Sequence, residues 1–179
     1  MRNARARFTL SIALVSVLAM LGGAVVSATN GDEGRNLDSV RTATTPFHSL
    51  DIAIAAGYGP VKGCAQNPLG GMGQHYVKGS LVADPALDKL RPEALVYEPR
   101  ADGGYQLVAL EYIVLKDAWH KANGKKAPRL FDEPLSLVKA PNPYGLPDYY
   151  EIHLWLWKSN PSGLFADWNP RVSCRGLPF

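Results

Sequence analysis

The chain has 179 residues, 46% hydrophobic and 20% charged, with 19 Lys and Arg against 16 Asp and Glu. Three of the basic residues, Arg2, Arg5 and Arg7, precede an apolar run from Phe8 to Val26, so the chain beyond that run carries 16 charges of each sign and no formal net charge. Such a balance gives no support for a phosphate-binding stripe or an anionic-membrane patch, and nucleic acid is not an expected partner.

The three arginines, the apolar run and the small residues Val26-Ser27-Ala28 read as a secretory signal over 1–28, cleaved after Ala28. An uncleaved anchor is the alternative, since ~20 apolar residues can span a bilayer. Gly22-Gly23 and the small residues favour cleavage, which predicts a secreted or cell-envelope protein with no membrane span in its mature chain. Residues 29–37 lack periodicity and read as a flexible linker. The remainder, 38–179, is long enough for a single globular domain with its own core. Two cysteines, Cys64 and Cys174, predict one disulfide in an oxidising compartment. Free thiols or metal ligands are the weaker alternative, because neither Cys has a Cys or His at finger-like spacing.

Thr45-Pro46 signals a helix start, and Phe47, Leu50 and Ile54 recur at helical spacing before Gly57, where a left-handed cap belongs. This predicts one N-terminal helix over 46–56. Tyr58 to Gly73 is rich in Gly and Pro and reads as a turning loop, from which His75-Tyr76-Val77 leaves as a short strand. No phosphate-loop spacing is present in it. Residues 94–98 and 105–115 are rich in strand formers and flank the turn residues 99–104, which predicts a hairpin. Alternation along the second strand puts Val108, Leu110, Tyr112 and Val114 on one face and Leu107, Ala109, Glu111, Ile113 and Leu115 on the other. Glu111 interrupts an apolar face, and a carboxylate there needs a partner. Asp117 is a candidate cap for a short helix through Trp119 and His120, ending at Asn123-Gly124. The proline-rich passage 128–147 reads as an ordered surface loop or edge.

The stretch Tyr149 to Trp157 alternates as a strand, with Ile152, Leu154 and Leu156 on one face and Glu151, His153, Trp155 and Trp157 on the other. The predicted class is therefore α+β: a mainly antiparallel sheet with one N-terminal helix packed on it.

The segments Gly71-Met72-Gly73-Gln74-His75-Tyr76-Val77 and His153-Leu154-Trp155-Leu156-Trp157, followed by Asn160-Pro161-Ser162-Gly163-Leu164-Phe165, resemble an uncharacterised family of exported bacterial proteins. The resemblance runs over roughly residues 40–174. It implies an exported bacterial protein and assigns no catalytic residue.

G-x-S-x-G, H-E-x-x-H and acidic calcium loops are all absent, so no enzyme class is indicated by motif. Two readings remain. In one, Tyr149, Trp155, Trp157 and Trp168 form an aromatic wall that binds a small ligand or an envelope partner. In the other, His75, Glu111 and His153 converge from three strands on a divalent transition metal, as ligands of a binding site or a metal-dependent enzyme. The bland reading of each is the same: packed aromatics and hydrogen-bonded core histidines.

Overall fold

The computed structural model describes residues 37–142 and 144–175. The signal expected over 1–28 and all but the last residue of the linker expected over 29–37 lie outside the described residues. Leu37 opens the first helix, α1 (Leu37–Thr44), and buries its side chain with Val40. Among the described residues no helix is long and apolar enough to cross a membrane.

The helix expected over 46–56 is two pieces. Thr45–His48 is a 3₁₀ turn with Pro46 in its first positions, and α2 is Leu50–Ala55. Between them Ser49 is extended, and its hydroxyl accepts the Ile52 N–H at 3.4 Å. That break resets the helical phase. Ala53 faces the core and is fully buried, whereas Ile54 is 51% exposed. Gly57 ends the helix at φ +92°, with the Tyr58 N–H reaching back to the Ala53 carbonyl.

Six strands form one sheet, all antiparallel: β1 (Gly59–Asn67), β2 (Gly70–Val77), β3 (Ala94–Pro99), β4 (Tyr105–Leu115), β7 (Ser136–Val138) and β8 (Tyr149–Leu154), in the spatial order β1-β2-β3-β4-β8-β7. The expected class, α+β with a mainly antiparallel sheet under N-terminal helix, is what forms. A one-turn helix, α3 (Gly79–Val82), follows β2, and α4 (Lys116–Asn123) follows β4. Asp117 lies inside the first turn of α4 rather than capping it, because Leu115 is the extended residue before the helix. The proline-rich passage contains β7 and a two-stranded ribbon, β5 (Arg129–Leu130) with β6 (Glu133–Pro134).

The glycine-rich segment is paired strand where a loop was expected. β1 and β2 form a hairpin with two irregularities in register, and glycine is needed there for space. A Cβ on Gly71 would lie 2.7 Å from the Val172 carbonyl oxygen, because the C-terminal segment runs directly over it. Gly71 and Asn169 exchange backbone hydrogen bonds at 3.1 and 3.0 Å. The Cys64–Cys174 disulfide holds the same segment to β1, with Cα atoms 5.7 Å apart.

A bulge corrects the face assignment of β4. Val96 pairs with Ala109 but Tyr97 pairs with Leu107, which leaves Val108 as the extra residue. Leu107 therefore joins Leu110, Tyr112 and Val114 in the helix-side core, and Val108 crosses to join Val96, Ala109, Trp155 and Val172. The helix-side core takes Leu37, Val40 and Ala53 from the helices and Leu95, Tyr97, Ile152 and Leu154 from the sheet. Three tyrosines fasten its coverings: Tyr58, Tyr97 and Tyr112 donate their hydroxyls to the carbonyls of Pro92, Phe47 and Lys89 at 2.7–2.8 Å. The opposite face carries His75, Glu111, Glu151 and His153.

Candidate metal centre

Strand register brings the polar groups together. Glu111 on β4 stands directly opposite His153 on β8, so their side chains are cross-strand neighbours. His75 lies two strands from Glu111, on β2 beyond β3. The β3 residues on this face between them are Ala94, paired with Glu111, and Val96, paired with His75. Ala94 presents only a methyl group, which leaves the space above β3 to the longer side chains from either side.

Three ligand atoms meet in that space. His75 Nε2 is 3.4 Å from His153 Nε2 and 3.4 Å from Glu111 Oε2, and His153 Nε2 is 4.0 Å from Glu111 Oε1. All three residues are at most 1% exposed. Tetrahedral ligands at ~2.1 Å from a zinc-sized ion lie about 3.4 Å from one another. The two separations from His75 match that edge length, and the one from His153 to the other carboxylate oxygen is longer by about 0.6 Å.

Burial dominates the electrostatics of the set. Burial holds His75 down to about 4, opposed by the Gly73 carbonyl, and burial followed by the neighbouring His75 holds His153 down to about 3. Both imidazoles are therefore neutral and offer a lone pair at physiological pH. Burial first, then the nearby Glu151 carboxyl, drives Glu111 well above the usual carboxylate range. A protonated Glu111 shares its proton with the Glu151 carboxylate, yet no N–H or O–H donor meets either Glu111 oxygen in hydrogen-bonding geometry. His153 Nδ1 is also buried without a partner, and His75 Nδ1 has none in good hydrogen-bonding geometry although the Gly73 carbonyl acts on its ring. An unsatisfied buried polar group costs about 1–3 kcal/mol, so a cluster of this kind is expensive without a ligand.

A second group adjoins the first through His153. Glu151, His153 and Asp167 bring ligand atoms within 4.8 Å of one another, with Asp167 reaching the exterior. Burial raises both acids, and for Glu151 hydrogen bonds to Glu111 and Tyr149 oppose the rise. Alternation placed Glu151 beside His153; Asp167 comes from a loop after the strand and carried no periodic signal.

The four aromatic residues divide. Trp155 stacks on His153, with ring centroids 6.2 Å apart and planes 15° apart, and its Nε1 donates to the Ala166 carbonyl at 2.5 Å. Tyr149 and Trp168 line a cavity of about 230 Å³ with Glu151, Met72, Val138 and Tyr144. Trp157 is on the other side of the sheet. β8 ends at Leu154, and the Leu156 N–H turns back to the Leu154 carbonyl, so the alternation does not continue to residue 157. Trp157 packs edge-on against His48 at 4.3 Å and under the Arg41 guanidinium at 5.6 Å.

Tyr144 is one of the aromatic and apolar residues that order the proline-rich passage, and no periodicity marks it as part of the site. Its ring meets His75 edge-on at 5.6 Å, and it lines both that cavity and a second one of about 280 Å³. Glu111 borders the second cavity, so the buried tripod has one apolar approach. Compared with protein-family models, curated proteins and solved structures, the chain matches none.

Proposed function

We propose that this is an exported protein that binds one divalent transition metal through His75 Nε2, His153 Nε2 and a Glu111 carboxylate oxygen. The observation that carries the reading is the convergence of two imidazole nitrogens and a carboxylate from three strands at 3.4–4.0 Å, with no donor for the carboxylate. Two imidazoles and a carboxylate suit zinc or iron(II), and three protein ligands leave a coordination position for water or a small molecule. When bound, the ion supplies Lewis acidity. The protein's own contribution is to hold both imidazoles neutral, keep the carboxylate dry and leave one apolar approach at Glu111.

The competing structural reading is a hydrogen bond between the two imidazoles that ties β2 to β8. It satisfies both Nε2 atoms but gives neither Glu111 oxygen a donor, whereas a cation satisfies the carboxylate directly. Elemental analysis of the full chain after incubation with zinc, cobalt(II) or iron(II) separates them. One equivalent of metal is expected, with affinity reduced about 100-fold or more in Glu111→Gln, beyond the ~10–100-fold that losing an outer partner costs. Glu111→Gln keeps the shape and the neutral state, so its metal-free melting temperature should match the wild type. No bound metal in the wild type, together with a large loss of stability in His153→Ala, would make these core histidines and end the proposal.

A further inference from the structure

We propose that the cavity bordering Glu111 takes an unbranched aliphatic monocarboxylate of medium chain length, its carboxylate on the metal and its chain along the cavity wall. The inference rests on the metal reading above and names the ligand of that same site.

The cavity holds about 280 Å³, or roughly nine non-hydrogen atoms at the ~30 Å³ that a water molecule takes in the liquid. Eight of its ten lining residues are aliphatic or glycine, among them Val61, Val77, Val82, Ile113, Leu115 and Leu146. The two others are Glu111 and Tyr144. A sugar or a peptide would leave most of its polar groups without partners on such a wall. An aliphatic chain loses nothing there and gains with each methylene removed from water. The head group is decided at Glu111, which is completely buried and has no hydrogen-bond donor of its own. None of the described lining residues is a cation, so an anion is tolerated at that end only when the metal supplies the positive charge. A carboxylate is the small anion that both occupies an open coordination position and continues into a straight chain.

The test titrates the cobalt(II)-loaded full chain with octanoate, butyrate, methyl octanoate and octylamine. Octanoate should alter the visible cobalt spectrum and bind on the order of 100-fold tighter than butyrate, since each buried methylene is a factor of about four. Methyl octanoate, which keeps the chain and loses the charge, should leave the spectrum unchanged. Val82→Phe fills the cavity and should lower octanoate affinity at least about tenfold at unchanged cobalt stoichiometry. Should that variant fail to fold, the ligand series on the wild type decides. Cobalt that binds but ignores octanoate, or shows no chain-length dependence, overturns this ligand and leaves the metal site standing. Failure to bind cobalt removes both. Octylamine binding to metal-free protein would instead make Glu111 the counter-ion of an amine and overturn the proposal.

Discussion

Buried carboxyl groups set the chemistry of this protein residue by residue, and two of them behave differently. Glu111 has burial and a neighbouring carboxyl against it and no donor for it. Glu93 is equally enclosed, at 2% exposure, but its Oε2 accepts the Ile113 N–H at 3.0 Å. Burial nevertheless lifts Glu93 to about 8 from its ordinary 4.5, with the Ile113 N–H opposing. Because the folded state holds this proton more tightly than the unfolded one, stability falls as pH rises from about 4.5 to about 8 and levels off above that. Glu93→Gln removes the titration while keeping an acceptor for Ile113. The variant should match the wild type near pH 4 and exceed it by on the order of 1–3 kcal/mol at pH 9, at about 1.4 kcal/mol for each pKa unit before relaxation of the site. Urea denaturation at the two pH values measures the difference; an equal offset at both would show that the carboxyl does not titrate in this range.

Among the elements, the β1–β2 hairpin and the C-terminal segment act as one unit over the polar face of the sheet. Gly71 meets Asn169 by backbone hydrogen bonds, Val172 packs with Val96 and Trp155, and the Cys174 N–H donates to Gln66 Oε1 at 3.1 Å. The glycine makes that contact fit, since a methyl at Gly71 would sit 2.7 Å from the Val172 carbonyl oxygen and 2.9 Å from its Cγ1. Backbone cannot give way as a flexible side chain can. Gly71→Ala should therefore lift the C-terminal segment and cost about 1–3 kcal/mol by overpacking. Faster hydrogen exchange confined to residues 166–175 and β2 would report it, and unchanged exchange would show that the segment yields without cost.

For the molecule as a whole, the disulfide fixes the last described turn of the chain to the outermost strand, across a sequence separation of 110 residues. In the chain-entropy account a loop of that length contributes about 4–5 kcal/mol by restricting the unfolded chain. Cys174→Ala should lower the unfolding free energy by about 2–5 kcal/mol in chemical denaturation. The sheet keeps its own pairing and core in that variant, so the far-ultraviolet circular dichroism of the native state should not change. A loss of sheet signal at room temperature would mean that the strap is needed to assemble the sheet.

Local signals determined what local chemistry could. The 94–98 and 105–115 strands with turn residues between them specify an antiparallel hairpin, because turn and strand preferences act over a few residues and both are dense there. Two cysteines in the whole sequence leave only one intramolecular pairing, and Glu111 marks itself by interrupting an apolar strand. The sequence misjudged what depends on partners far away in the chain. Glycines at 70 and 71 look like loop until the segment of Asn169 to Val172 supplies the backbone that must pass close to β2, and Gly73 until β3 brings the Tyr97 carbonyl against it. The bulge at Val108 exchanges two apolar side chains between faces, and since both are equally hydrophobic no pattern records it. Alternation carried Trp157 to the polar face because nothing local announces that β8 stops at Leu154. The site belongs to the same class of question. His75, Glu111 and His153 are individually visible, but their 3.4–4.0 Å spacing follows from the registers of β2, β3, β4 and β8 with a methyl at Ala94 between them. Register is set by the summed packing of whole strand faces, and only the assembled sheet contains that sum.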